Sequence, residues 1–158
     1  MNIYINGKSY FGTCTKIKIP DIVQTMAETS GALKRKVGTG VYESLELSFT
    51  LQVFDMDVFR DFAANNTIAH VTISIRESIH NQGNGKKDVS CEALGDMESI
   101  TLNEDSIGGA KEISIKLYCE FFKLSVGNDA PLIYDILGTH LSMSDIDVMA
   151  QTRKNLEL

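Results

Sequence analysis

Residues 111–127, KEISIKLYCEFFKLSVG, decide how the rest of the chain is read. Ile113, Ile115, Leu117, Cys119 and Phe121 alternate with Glu112, Ser114, Lys116, Tyr118 and Glu120. That is the period of a strand with one buried face. The parity then flips, because Phe122, Leu124 and Val126 carry the apolar side onward. A one-residue slip turns every side chain to the opposite face. The flip therefore predicts a bulge or a change of sheet near Phe121–Phe122, or else two strands joined by a kink.

Upstream, the same alternation is cleanest from Val41 to Val53. There Leu45, Leu47, Phe49, Leu51 and Val53 oppose Ser44, Glu46, Ser48, Thr50 and Gln52. Asp55 is placed to cap a helix, with Phe54 and Phe59 at the spacing of a hydrophobic staple. Phe59, Phe62 and Ala63 are its expected buried stripe, and Asn65–Asn66 its end. A strand over about 67–79 buries Val71, Ile73 and Ile75 and turns out Thr72, Ser74 and Arg76. Asn84–Gly85 signals a hairpin, and residues 88–103 give one or two weaker strands interrupted at Gly95–Asp96.

The first elements are short. Ile3 and Ile5 begin a strand closed by Asn6–Gly7, and a second runs from about Thr13 to Ile19, stopped by Pro20. Residues 24–40, QTMAETSGALKRKVGTG, show no period and read as a long loop carrying the basic run Lys34, Arg35 and Lys36. Beyond the central strand come a turn, a short strand over 132–137 and a final amphipathic segment. That segment begins near Ser144 and places Ile146, Met149, Ala150 and Leu156 at helical spacing. The sum is a mainly β, antiparallel, sandwich- or barrel-like single domain over residues 1–158, with one internal helix and a short C-terminal helical segment.

A chain of 158 residues with 43% hydrophobic content can bury one sizeable core. It has no apolar window of membrane-spanning length and no signal-like start, so synthesis in the cytoplasm and no membrane insertion are expected. Cys14, Cys91 and Cys119 show no CxxC spacing, and His70, His80 and His140 have no partner at metal-ligand spacing. No metal or cofactor is expected. No serine sits in a nucleophile elbow, and Asp145 and Asp147 read as capping and dipole partners at a helix start. Nothing in the sequence points to catalysis. A net charge of −6 argues against gripping nucleic acid through its phosphates, though not against letting it pass.

The order of these features resembles the major tail tube protein of contractile-tailed phages and R-type bacteriocins. The likeness runs from Asn6–Gly7 and Tyr10–Phe11–Gly12 through Ile19–Pro20 to Met26 and Glu28, where that family has a long glycine-containing loop. It continues in the strand with Glu46, the helix of Phe59–Phe62, and above all Leu117–Val126 with its aromatic pair followed by Lys–Leu. Ile133–Tyr134–Asp135–Ile136 and the segment Asp147–Leu158 follow in place. Lys34–Lys36 are more basic than that pattern, and Glu157 stands where the family has a penultimate glycine.

The resemblance implies a structural protein of the virion tail, assembled in the host cytoplasm as stacked hexameric rings that form a hollow tube within a sheath. Tail sheath, baseplate and tail terminator proteins would be its partners, with DNA passing transiently and without sequence-specific binding. On this reading Glu46, Ser48, Thr50, Gln52, Thr72, Ser74 and Arg76 are candidates to line an acidic lumen. Met26, Glu28, Leu33, Lys34, Arg35 and Lys36 would form a loop between rings. The alternatives are the tube of a DNA-free bacteriocin or secretion device and, from another class, a monomeric β-barrel that binds a small ligand or acts as an enzyme through an unrecognised site.

Overall fold

The computed structural model describes residues 1–52, 56–65, 71–81, 85–103 and 109–158. Asp55, Phe54 and the expected helix end at Asn66 lie outside the described residues, as do His70, Asn84 and the side chain of Phe62.

Three long strands form the centre. The elements are β7 (Val71–Asn81), β8 (Gly85–Leu102) and β9 (Ile113–Val126), paired antiparallel in that order. Residues 111–127 therefore make one continuous strand. The parity flip is a bulge: Leu94 pairs with Phe121 and Gly95 with Cys119, leaving Glu120 unopposed. Before it Ile113, Ile115, Leu117 and Cys119 are buried; after it Phe122 is, while Phe121 turns to the other side and is only half-buried. Strand β8 has its own shift, with Glu98 the extra residue between Met97 and Ser99. It is not two weak strands but the longest in the molecule, and Gly95 is what lets it pass the bulge. A Cβ on Gly95 would sit 1.9 Å from the Tyr118 carbonyl oxygen, so no other residue fits there without moving backbone.

The bulge also divides the other edge of β9. Its first half, Ile113–Cys119, pairs with β6 (Leu45–Leu51), and its second, Phe121–Leu124, with β10 (Leu132–Asp135). The Glu120 carbonyl, at the bulge, accepts from the Ile136 amide at 3.0 Å, just past β10. From this fork one arm continues to β3 (Cys14–Lys18), the other to β11 (His140–Met143) and β12 (Ile146–Asp147). On the far side of β7 lie β1 (Asn2–Ile5) and β2 (Lys8–Ser9), joined through Asn6 and Gly7, both at positive φ.

These ten strands form one antiparallel sheet that does not close into a barrel. Its inward side chains nevertheless share one core, from Ile3, Ile5, Ile73 and Ile75 to Leu47, Leu117 and Leu141, so the arms fold over a common centre. Complete burial of each such side chain contributes roughly 1.5–3 kcal/mol.

Two regions depart from expectation. The alternation expected from Val41 begins only at Leu45, because Glu43 and Ser44 break the chain and Val41–Tyr42 belong to β5 (Arg35–Tyr42). Strand β5 pairs with β4 (Gln24–Thr29), so most of the segment read as a long loop is a two-stranded hairpin, separate from the main sheet. Among the described side chains of helix α1 (Met56–Asn65), Val58 is buried, Phe59 partly buried and Ala63 exposed, so Ala63 is not part of a buried stripe. The C-terminal helix α2 (Ala150–Leu156) starts later than expected, Ile146 lies in β12, and α2 buries no residue. Glu157 ends α2 in the left-handed conformation, φ 57° and ψ 35°. That is the position where glycine costs least, a physical reason for the family's glycine there.

Candidate assembly surfaces

Alternation along β6, β7, β8 and β9 gives the sheet a mainly polar outward face, with Leu94 and Phe121 on it at the bulge. Opposed residues share a side, so Glu46–Tyr118–Asp96 and Thr50–Ser114–Thr101 form rows across β6, β9 and β8. Beyond β8, Thr72 opposes Leu94, Ser74 opposes Glu92 and Arg76 opposes Ser90. Six of the seven residues singled out as lumen candidates thus lie on one face of one sheet. Glu46, Ser48 and Thr50 are separated from Thr72, Ser74 and Arg76 by the two strands β9 and β8. Gln52 lies just past β6 and donates to Glu112 at 3.1 Å. Thr50, Ser114 and Asn103 are linked by hydroxyl and amide hydrogen bonds of 3.0–3.4 Å.

This face is not uniformly acidic, which corrects the expected charge. Lys16 and Lys18 oppose Thr50 and Ser48, and Lys116 sits at the centre of the face. Its Nζ lies 3.0 Å from Glu46 and 3.4 Å from Glu98, the residue that the β8 bulge places beside it. The hydrogen bond from Lys116 to Glu46 is the main cause that raises the lysine pKa above its ordinary value. Lys18 is likewise held, 3.1 Å from Asp21. Cations are present, but these two are neutralised locally. Periodicity put both Glu46 and Lys116 on polar faces; it could not show that they meet, or that a bulge brings Glu98 to the same lysine.

The hairpin β4–β5 is exposed almost throughout. Met26 and Gly38 share one face with Glu28 and Lys36, while Ala27, Val37, Thr29 and Arg35 share the other. Lys34 reaches Glu28 at 3.7 Å. Leu33 at the tip is 89% exposed, and Met26 is 49% exposed. The hairpin is stitched by hydroxyls, with Thr39 donating to the Thr25 carbonyl at 2.6 Å and Thr29 to the Arg35 carbonyl at 3.2 Å. Its strand signal was the β-formers Thr25, Thr29, Val37, Thr39, Val41 and Tyr42 around Ser30–Gly31, unaccompanied by any apolar period. The six residues proposed for a loop are all on this hairpin or its tip.

At the hairpin's base a cleft of about 300 Å³ opens between Gly40–Tyr42, strands β10 and β11, and helix α2. Val41, Tyr42, Tyr134, Ile136, Leu141 and Met149 make its walls largely apolar, and Asp135 and His140 also line it. Tyr134 crosses to the hairpin side by donating to the Glu43 carbonyl at 3.3 Å. Helix α2 is held over the cleft by Arg153, which donates to the Thr139 carbonyl at 3.0 Å and pairs with Asp147. Asp147 also accepts from the Met149 amide at 3.0 Å, but it lies in β12 and does not cap α2, whose N-cap is Met149 with no side-chain cap bond. The bond from Arg153 is the main cause that holds the Asp147 pKa below its ordinary value. Asp145 instead occupies the β11–β12 turn at positive φ. Burial pushes the Cys91 thiol up to about 12 and Cys119 to about 11, so both are inert core residues.

The family model for phage tail tube protein FII matches residues 1–156. Over its whole length the chain is 23% identical to the tail tube protein of Escherichia phage P2, covering 95% of that protein. A match across nearly the entire chain, on a fold whose long strands and outward polar face suit a structural shell, leads to one assignment: the chain belongs to the phage tail tube protein family FII, a family of structural tail proteins.

Proposed function

We propose that the chain assembles as hexameric rings stacked into the hollow inner tube of a contractile phage tail, a conduit through which DNA is ejected. The observation that carries this is the unclosed ten-stranded sheet with its mainly polar outer face across β6, β9, β8 and β7, interrupted at the bulge by Leu94 and Phe121. A sheet that stays open leaves edges that must be covered or paired. Pairing them with the next copy around a ring satisfies those groups and joins the polar faces into one wet wall. The open sheet also removes the basis for a monomeric ligand-binding barrel.

In this assembly Glu46, Ser48, Thr50, Gln52, Thr72, Ser74 and Arg76 face the lumen. The lining is charge-mixed: Lys116 is tied to Glu46 and Glu98, Lys18 makes an exposed pair with Asp21, and Lys16 and Arg76 lie on the same face. DNA therefore slides without sequence-specific contacts. The hairpin, with Met26, Glu28, Leu33, Lys34, Arg35 and Lys36, projects to the adjacent ring. Sheath, baseplate and tail terminator proteins complete the particle in the virion tail, after assembly in the host cytoplasm.

Electron microscopy of the concentrated protein, with averaging along the tube axis, tests the reading. Hollow tubes built of six-fold rings, with the seven residues on the inner wall, are expected. Only monomers or amorphous aggregate at every salt concentration would overturn the tube. Tubes whose inner wall is another surface would overturn the lumen assignment.

A further inference from the structure

We infer that the apolar cleft beside α2 is the receptor for the hairpin tip of a second copy of this chain, with Leu33 as the inserted side chain. The inference rests on the tube reading and names the acceptor that the hairpin's role requires. Two-stranded ribbons are marginal alone, and this one has no apolar layer behind it, while Leu33 stands 89% exposed at its end. The cleft offers the complementary deficit. Its volume of about 300 Å³ is at the lower bound for small-molecule sites, and its walls are mostly aliphatic and aromatic. A branched aliphatic side chain suits it better than a ligand needing several polar anchors.

Charge agrees. Leu33 is followed directly by Lys34, Arg35 and Lys36, and Asp135 lines the acceptor.

The occupant is another molecule because the same hairpin supplies both halves. Gly40–Tyr42 at its base line the cleft, and the six residues of β4 hold the tip roughly 20 Å away. Donor and acceptor at opposite ends of one element give a heterologous, head-to-tail contact. Such a contact repeats from copy to copy, and where its rotation does not close it builds a filament, as stacking of rings requires.

The test mixes two full-length variants, each also carrying Cys14→Ser: Leu33→Cys in one and Thr152→Cys, on the cleft wall, in the other. After assembly and mild oxidation, a disulfide-linked dimer is expected only in the mixture. Leu33→Asp should raise the concentration needed for assembly roughly tenfold or more, and Leu33→Met should leave it near the parent value. Tubes that form without the mixture-specific dimer, or tubes of Leu33→Asp at the parent concentration, overturn the pairing and leave the tube reading standing. Parent protein that never forms tubes overturns both.

Discussion

Strands β8–β9 and hairpin β4–β5 are both antiparallel ladders interrupted by register shifts, yet they depend on different surroundings. The β9 ladder is backed by Ile113, Ile115, Leu117, Cys119 and Phe122, all at 1% exposure or less. The hairpin has the same backbone pairing and no buried residue of its own. Backbone hydrogen bonds net little in water, because water competes for the same groups. The first ladder is therefore stable within one subunit, and the second is completed by whatever covers it.

Removing the backing of the first ladder gives the largest effect. Leu117→Ala should cost about 3 kcal/mol of unfolding free energy, read as a lowered denaturant midpoint at unchanged slope. A loss below about 1 kcal/mol would mean that the β9 core is looser than its burial indicates.

The converse change replaces residues 28–37 by a short Gly-Ser linker. The subunit should keep its unfolding midpoint to within about 0.5 kcal/mol, as expected when only exposed surface is altered, while assembly is lost. A variant that assembles as readily as the parent would make the hairpin a mere excursion. Ordering it costs ~1–2 kcal/mol of backbone entropy per residue. In the proposed assembly, the interface with the next ring would offset that cost.

A third probe reaches the clamp that holds α2 over the cleft. Because Asp147 titrates below its usual value, its contribution is fully present above the ordinary carboxylate pKa of about 3.9 and is lost as pH falls through the lowered value. Amide-exchange protection of residues 150–156 should be flat from neutral pH to about pH 4 and decline below. Asp147→Asn should show the reduced protection already at neutral pH. Equal protection in parent and variant would remove the clamp from the account.

The smallest effect belongs to the exposed pair Glu28–Lys34. Glu28→Gln should change subunit stability by about 0.5 kcal/mol or less, and salt should erase even that.

What was legible in the sequence follows the same division. Where a face is buried, period-2 alternation reports it directly, as in β6, β7 and β9, and the parity flip located the bulge within a residue or two. Strand β8 was underestimated because Gly95 interrupts its pattern, and the reason for that glycine lies on the neighbouring strand. The hairpin was missed because alternation is a signature of burial, and nothing on this chain buries it. Alternation marked Glu46 to Arg76 as outward on their own strands, but it could not show that two intervening strands join six of them into one face or which charges lie between them. Lys16, Lys18 and Lys116 arrive through pairing with strands distant in sequence.

The single missing side chain at Gly95 has a geometric consequence beyond its own strand. With the Tyr118 carbonyl 1.9 Å from where a Cβ would stand, the two longest strands can be phased in only one way, since shifting either by a residue would bring Leu94 or Asp96 against that oxygen. For a subunit that works alone, a slip of this kind would be a local defect. In a ring of identical copies the same angular error is added at every joint, and a wedge angle only slightly wrong leaves a gap or an overlap when the circuit is complete. In the ring proposed above, the glycine would set a manufacturing tolerance: it would fix the angle each copy contributes, so that the last copy meets the first.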